Sequence, residues 1–174
     1  SHIREVDALV HVLRCFEDAD ITHVENSIDP LRDAEIIETE LMLADLESLD
    51  RQIQNLSKKA KSNDSDAKND LLLMNELSTF LSDGKPIRLA DLSQDKAKRI
   101  KTFNLLTSKP VLYACNVSEN DAATGNNFTK SIIDKANNEN CNSVIISGSI
   151  ESEIAMLDDN EKNEFLKDLK LKES

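Results

Sequence analysis

Apolar residues in the middle of the chain recur at a spacing that a pair of packed helices can bury. Met42, Leu46, Leu49, Ile53 and Leu56 are separated alternately by four and three residues. This spacing is the a/d seam of a coiled coil, in which one apolar stripe faces a partner helix. We therefore predict a long helix here that folds back on a second one.

The ends of these predicted helices carry local signals. Asp29 is a candidate N-cap, and Pro30 suits the first helical position because its missing N–H is not needed there. The polar stretch KSNDSDAKND interrupts the seam at residues 61–70. Helix resumes over 70–84, where Gly84 is suited to end it.

Short apolar runs rich in Val and Ile flank this helical region. They read ALVHVLRCF, VLYAC and SVIIS, and they occupy residues 8–16, 111–115 and 143–147. Such runs are typical of strands covered on both faces of a sheet. A helical pattern at 126–140 separates the last two runs, so strand, helix and strand predict a right-handed crossover in a parallel sheet.

These patterns together predict the α/β fold class, with an α-helical coiled-coil hairpin inserted into a parallel-sheet domain. The boundaries that follow are 1–29 and 107–174 for the sheet domain and 30–106 for the insertion. Lys and Arg nearly balance Asp and Glu between Pro30 and Lys109, so most of the net charge of −12 belongs to the sheet domain. The insertion is therefore nearly neutral, whereas the sheet domain is strongly acidic.

Composition narrows the classes of function and compartment. A net charge of −12 opposes unspecific binding to nucleic acid or to anionic membranes. Three cysteines without C-x-x-C spacing fit a reducing compartment, and no signal peptide or membrane-spanning run is visible, so we expect a cytoplasmic protein and no membrane partner. The acidic stretch at 18–29 lacks calcium-loop spacing, and the histidines lack zinc spacing, so no metal ligands are predicted.

Polar side chains stand where two of the predicted parallel strands end. Asn116 closes the second run, Glu119 follows three residues later, and Ser147 closes the third run. In open parallel sheets, ligands bind outside the carboxyl ends of the strands. An amide can donate and accept hydrogen bonds, and a carboxylate can accept them from the N–H groups of a flat heterocycle. The sequence therefore predicts a ligand site at this edge.

The stretch NVSE at 116–119 resembles the base-recognition motif N-K-x-D of P-loop GTPases. The stretch SGS at 147–149 is similar to their S-A-K/L loop. With the long segment IREVDALVHVLRCFEDADITHVENSIDPLRDAEIIETELMLADLESL, the chain most resembles the Obg-like ATPase family, also called YchF, of the translation-factor class. The resemblance covers nearly the whole chain and implies a P-loop NTPase-type sheet domain with a coiled-coil insertion.

The resemblance also implies roles for particular residues. Asn116, Val117 and Glu119 would bind the nucleotide base from one loop, together with the serine loop formed by Ser147, Gly148 and Ser149. Glu119 stands where the GTPase motif has Asp, and Val117 where it has Lys. A longer carboxylate misplaces the two-pronged contact with guanine. The family resemblance implies that ATP is bound in preference to GTP or alongside it.

Other parts of a nucleotide hydrolase are missing from the printed sequence. A triphosphate needs a cradle of the form G-x-x-x-x-G-K-[ST], whereas Gly84, Gly125 and Gly148 are scattered. We expect the P-loop and switch region upstream, a TGS domain downstream, and Mg²⁺ bound with ATP or GTP only in the complete protein. By resemblance the complete protein is an ATP or GTP hydrolase, while this chain alone is inactive and contributes no catalytic residue.

A different class of function stays open. Two basic clusters, Lys58–Lys61 and Lys96–Lys101, are either ordinary solvated faces or a contact with RNA or the ribosome. In the alternative interpretation, the coiled-coil arm is an interaction module that binds RNA, the ribosome or a protein without nucleotide turnover. The sequence does not indicate an oligomeric state, the trigger of hydrolysis or the partner of the arm.

Overall fold

A computed structural model describes residues 7–17, 28–60, 64–148 and 153–157. The chain divides into two compact units, one formed by residues 1–36 and 110–174 and the other by residues 37–109. None of the helices in the described ranges has the length and apolarity that crossing a bilayer requires. The predicted acidic stretch between residues 18 and 27 lies outside the described residues, as do His2, His23 and Ser149.

The first unit contains a four-stranded sheet in the order β3-β2-β1-β4. Three strands are parallel, as predicted: β1 (Ala8–Arg14), β2 (Val111–Val117) and β3 (Asn142–Ser147). The fourth strand, β4 (Glu153–Leu157), pairs antiparallel with β1. The sequence did not predict β4, because Glu, Ala, Met and Leu in EIAML favour helix at least as much as strand.

A helix connects β2 to β3 and covers one face of the sheet. This helix, α4, spans Asn127–Asn138 and buries Ile132 and Ala136. The Tyr113 hydroxyl in β2 donates a hydrogen bond to the Glu139 carboxylate just after the helix, at 2.8 Å. Every second residue of these strands points to the same face of the sheet, and an apolar cluster forms there. Its members are Val10, Val12, Leu112, Ala114 and Ile146.

Three helices supply most of the second unit, and their ends follow the local signals. Helix α1 spans Pro30–Ala60, α2 spans Ser65–Ser82 and α3 spans Gln94–Ile100. The Arg32 N–H donates to Asp29 Oδ1 at 3.1 Å, so the predicted start of α1 is confirmed. Short 3₁₀ turns add Ile87–Leu89, Lys101–Phe103 and Leu106–Ser108 here and Glu119–Asp121 in the sheet unit.

Helix α2 begins earlier than the sequence predicted. Asp64, within the supposed break, accepts hydrogen bonds from the N–H groups of Asp66 and Ala67 and so caps a helix that starts at Ser65. The predicted stop is confirmed, because Gly84 follows the helix with a φ of +83°. A left-handed conformation of this kind is least costly for glycine.

The apolar seam of the second unit is buried against more than one partner helix. We expected the seam to pack mainly on the returning helix, but residues of α3 and of the 3₁₀ turns join the same cluster. Leu46, Ile53 and Leu56 pack at its border. The buried members are Met42, Leu49, Leu73, Met74, Leu77, Leu81, Ile87, Ile100, Phe103 and Leu105. The insertion therefore has a hydrophobic core of its own.

Buried charges fix the chain within this unit. The Asp45 carboxylate accepts the backbone N–H groups of Leu106 at 2.8 Å and Thr107 at 2.7 Å. Glu38 accepts two hydrogen bonds from one terminal nitrogen of Arg88, at 2.8 and 3.0 Å. A buried charge is tolerated when hydrogen bonds replace its hydration, and both carboxylates meet this condition.

Candidate functional site

The carboxyl ends of β2 and β3 lie side by side, as the sequence predicted. Asn116 pairs with Ile146, and Val117 pairs with Ser147. Because successive side chains of a strand alternate between faces, Val117 and Ser147 start on one face of the sheet while Asn116 starts on the other. The backbone thus brings the two ends together, and a pocket shared by Asn116 and Ser147 stays a prediction.

The predicted site residues differ sharply in exposure. Asn116 and Val117 are fully buried, whereas Glu119, Ser147 and Gly148 are exposed. The main chain at 116–117 is therefore held by the sheet, while the carboxylate of Glu119 projects from a short 3₁₀ turn. A ligand at this edge would meet a fixed backbone and an accessible carboxylate.

Asn126 links the loops that leave β1 and β2. Its side-chain nitrogen donates to the Cys15 carbonyl at 2.8 Å and to Asp121 Oδ2 at 3.1 Å. Its side-chain oxygen accepts the Thr129 N–H at 3.0 Å, which caps α4. The Cys15 N–H also donates to the Asn116 carbonyl, at 2.7 Å. One side chain therefore fixes the border of the candidate site.

The preceding glycine makes this arrangement possible. Gly125 has a φ of +72°, and a Cβ there would lie 2.6 Å from Oγ1 of Thr129 and 3.1 Å from Cδ1 of Ile145. We did not predict the role of Asn126 from the sequence. The available signal was Asn-x-x-Thr after a glycine, which is the pattern of a reciprocal capping box at a helix start.

The end of β1 also carries a cationic side chain, that of Arg14, and is followed by a thiol, that of Cys15. Arg14 pairs with Asn116 across the ladder, and its guanidinium carbon lies 4.8 Å from the centre of the Phe16 ring. A hydrogen bond to Cys115, and then burial, raise the pKa of the Cys15 thiol. A thiol that stays protonated is a poor nucleophile. The edge is thus suited to recognition by hydrogen bonding and charge.

The fold defines a class: an α/β domain with three parallel strands that carries a helical insertion. Over 176 residues the chain is 42% identical to the ribosome-binding ATPase YchF of Bacillus subtilis, covering 100% of this chain and 48% of the relative. It is 46% identical to the protein of the same name from Pasteurella multocida, covering 99% and 47%. The chain belongs to the Obg-like ATPase family, also called YchF.

Two further comparisons agree with this membership. Obg-like ATPase 1 of Oryza sativa subsp. indica is 45% identical over 122 residues, which cover 70% of this chain and 31% of the relative. The structure of the Schizosaccharomyces pombe YchF GTPase matches with a TM-score of 0.71 at 28% identity, covering 97% of this chain and 47% of that one. No family profile matches the chain. The chain spans about half the length of the curated relatives it matches.

Proposed function

We propose that this chain supplies the base-recognition half of the nucleoside-triphosphate site of a ribosome-associated Obg-like ATPase. The supporting observation is the joined edge of β2 and β3, where Asn116 is buried and Glu119 is exposed beside it. Val117, Ser147, Gly148 and Ser149 complete the proposed base-binding set. Two relatives bear the name ribosome-binding ATPase, which supports the ribosome as partner and hydrolysis as activity of the whole protein.

The choice of purine follows from hydrogen-bond geometry. Guanine presents two adjacent N–H donors, which one carboxylate can accept together. Adenine presents an amino donor beside a ring acceptor, and that acceptor repels a carboxylate. Glu119 holds its carboxylate one methylene farther from the main chain than Asp would, while the backbone around Val117 can accept and donate. We infer that ATP is bound in preference to GTP or alongside it.

Magnesium is expected to accompany the nucleotide in the complete protein. Among the residues that the structure describes, no three His, Cys, Asp or Glu side chains lie together so as to hold a metal ion. Mg²⁺ prefers several oxygen ligands in octahedral geometry and in NTPases binds with the phosphates. We propose that Mg²⁺ binds with the triphosphate of ATP or GTP in the complete protein.

Competition between ATP and GTP in the full-length protein tests the base site. Replacing Glu119→Asp together with Val117→Lys restores the GTPase motif, and we expect binding to shift toward GTP. Val117 is fully buried, so Lys there can impair folding. The single variant Glu119→Asp avoids this risk because residue 119 is exposed.

A substitution of the same kind outside the proposed base-binding set provides the matched control. Glu47→Asp removes the same methylene from an exposed carboxylate side chain of α1, and its ATP-to-GTP ratio should equal that of the unaltered protein. If both variants of the motif compete as the unaltered protein does, these positions do not set the purine. If the full-length protein binds neither nucleotide, the proposed function itself fails.

The alternative, an interaction module without nucleotide turnover, is supported by one observation. The helical unit of residues 37–109 has its own buried apolar core. Such a unit can present a stable surface whether or not a nucleotide is bound. Measuring ribosome binding with and without ATP separates the two functions, because a pure module gives the same affinity in both conditions.

A further inference from the structure

Hydrogen bonds join the 3₁₀ turn that carries Glu119 to the start of α4. The Asn126 side-chain nitrogen donates to Asp121 Oδ2 at 3.1 Å. The backbone repeats this connection, because the Gly125 N–H donates to the Asp121 carbonyl at 2.7 Å. The Ser118 hydroxyl approaches the same carboxylate oxygen at 3.5 Å, which is a weaker contact. We call the side-chain pair of Asp121 and Asn126 the clasp.

The clasp is anchored at the end of β1. The Asn126 side-chain nitrogen also donates to the Cys15 carbonyl at 2.8 Å. The Cys15 N–H in turn donates to the Asn116 carbonyl at 2.7 Å. Cys15 and Asn116 are both fully buried, so this anchor belongs to the interior of the sheet unit. The clasp therefore sets the position of the turn relative to Asn116, which belongs to the proposed base-binding set.

Asparagine is the helix-capping residue whose chemistry suits all three of these bonds. Its nitrogen carries two hydrogens, one for the Cys15 carbonyl and one for Asp121, while its oxygen accepts the Thr129 N–H. Aspartate has no donor, and serine has a single hydrogen and a shorter reach. A helix cap requires only the acceptor, and serine or aspartate supplies it as well as asparagine does. The two donated bonds therefore indicate a role beyond capping.

The turn held by the clasp leaves the Glu119 carboxylate available. The Asp121 N–H donates to the Ser118 carbonyl at 3.0 Å, and the Ala122 N–H donates to the Glu119 carbonyl at 3.3 Å. Asp121 is partly buried, whereas Glu119 is exposed. In the part of the chain that the structure describes, no hydrogen bond or ion pair engages the Glu119 carboxylate. Asp121 thus holds the turn, and Glu119 can meet a ligand.

We propose that Asn126 is a positioning residue for nucleotide binding: through Asp121 it fixes the turn that presents Glu119 to the purine base. The inference rests on the proposed function, because it assigns a role at the same base site. Asn126 acts through the turn and not through contact with the nucleotide. A turn that is already ordered binds without the cost of ordering it, so breaking the clasp lowers the fraction of molecules that can bind the base.

The full-length protein with Asn126→Ser tests the inference. Serine still caps α4 but is too short to reach both Asp121 and the Cys15 carbonyl, so stability to urea should fall less than in Asn126→Ala. We expect the dissociation constant for ATP to rise about tenfold, because the base contact weakens. The constant for inorganic tripolyphosphate, which has no base, should not change. Displacement of a fluorescent ATP analogue in the presence of Mg²⁺ measures both constants.

Two substitutions of Asp121 provide a conservative variant and its disruptive counterpart. Asp121→Asn retains an acceptor oxygen for Asn126 and should keep the ATP affinity of the unaltered protein. Asp121→Ala removes the acceptor and should weaken ATP binding about as much as Asn126→Ser does. Combining Asp121→Ala with Asn126→Ser should then add little, because both changes break the same contact. If Asp121→Ala binds ATP as the unaltered protein does, the clasp does not position the turn and the inference is wrong.

Thr129→Ala is the matched control at the start of α4. It removes the hydroxyl that accepts the Asn126 N–H at 2.9 Å, and it leaves both bonds from the Asn126 side-chain nitrogen in place. We expect lower stability to urea with unchanged ATP affinity. If Thr129→Ala weakens ATP binding as much as Asn126→Ser, the stability of the helix start governs affinity and the inference is overturned.

The remaining outcomes separate the inference from the proposed function. If the unaltered full-length protein binds neither ATP nor GTP, the proposed function fails, and the inference fails with it. If the unaltered protein binds ATP and Asn126→Ser binds it equally well, the base site stands and only the positioning role is wrong. An equal rise in the dissociation constants of ATP and tripolyphosphate also contradicts that role, because the clasp would then act on the whole nucleotide site.

Discussion

Asp45 is a fully buried carboxylate that holds two backbone N–H groups far along the chain. Replacing Asp45→Ala leaves the N–H groups of Leu106 and Thr107 buried without this acceptor. We expect the free energy of unfolding to fall by about 3 kcal/mol. Urea titration followed by circular dichroism measures the change.

Asp50 provides the control on the same helix. It is exposed, and its carboxylate accepts only a side-chain hydrogen bond from Gln54 among the bonds described for it. Asp50→Ala should change the free energy of unfolding by less than about 0.5 kcal/mol. Equal costs for the two variants would contradict the role of the buried hydrogen bonds.

The cysteines should react at very different rates in the folded protein. Cys15 and Cys115 are buried, whereas Cys141 is partly exposed. The hydrogen bond to Cys115 raises the pKa of Cys15, which keeps that thiol protonated. Only a thiolate is an effective nucleophile, so iodoacetamide should alkylate Cys141 first and the other two only after unfolding. Mass spectrometry of timed samples measures this order.

The same raised pKa of Cys15 predicts a pH dependence of stability. In the unfolded chain a thiol loses its proton at about pH 8.5, while in the folded chain it keeps it. The contribution is therefore complete below about pH 8.5 and declines as the pH rises above that value. The free energies of unfolding of the unaltered protein and of Cys15→Ala, measured by urea titration, should converge at high pH. A difference that stays constant with pH would contradict the raised pKa.

At the scale of elements, the capped start of α4 should contribute measurably to stability. Asn126→Ala removes the cap on the Thr129 N–H together with the bond to the Cys15 carbonyl. We expect a loss of about 1–2 kcal/mol in the free energy of unfolding. Asn127→Ala changes an exposed residue of the same first turn and is the control. A smaller loss at 126 than at 127 would mean that the capping box is not stabilising.

Element starts and stops were predictable where their chemistry is local. The start of α1 follows from Asp29 and Pro30, and the end of α2 from Gly84, because the neighbouring backbone determines both. Strand β4 was not predictable, since its identity depends on pairing with β1 far along the chain. The start of α2 was wrong because polar residues such as Asp64 can either break a helix or cap one.

The positions of the predicted site residues at the strand ends were predictable to the same extent. The adjacency of the strand ends at Asn116 and Ser147 followed from the rule that links strand, helix and parallel strand. The burial of Val117 did not follow from a sequence rule, because the exposure of a residue at a strand end depends on which other residues cover that end. The hydrogen bond from Asn126 to Cys15 joins residues separated by 111 positions, and single-sequence patterns contain no information on such a pair.

At the scale of the whole molecule, we expect the 174-residue chain by itself to release little or no phosphate from ATP with Mg²⁺. Its three glycines are too scattered to form a phosphate cradle, and hydrolysis depends on groups that stabilise charge on the phosphates. A phosphate-release assay with excess ATP measures this, with a full-length relative as the reference. Turnover comparable to that reference would contradict the proposal that this chain holds only the base-recognition half of the nucleotide site.

The contact made by Asp45 also bears on the order in which the chain assembles. Leu9 in β1 pairs with Val111 in β2. Forming this parallel pair closes a long loop between the two strands, and closing a long loop slows folding. Once Asp45 holds Leu106 and Thr107, most of the intervening polypeptide is already closed off. The shorter remaining loop lowers the entropic cost of joining the strands by about 1 kcal/mol. The helical unit of residues 37–109 would then fold before the sheet, and its folding would make the pairing of β1 with β2 easier.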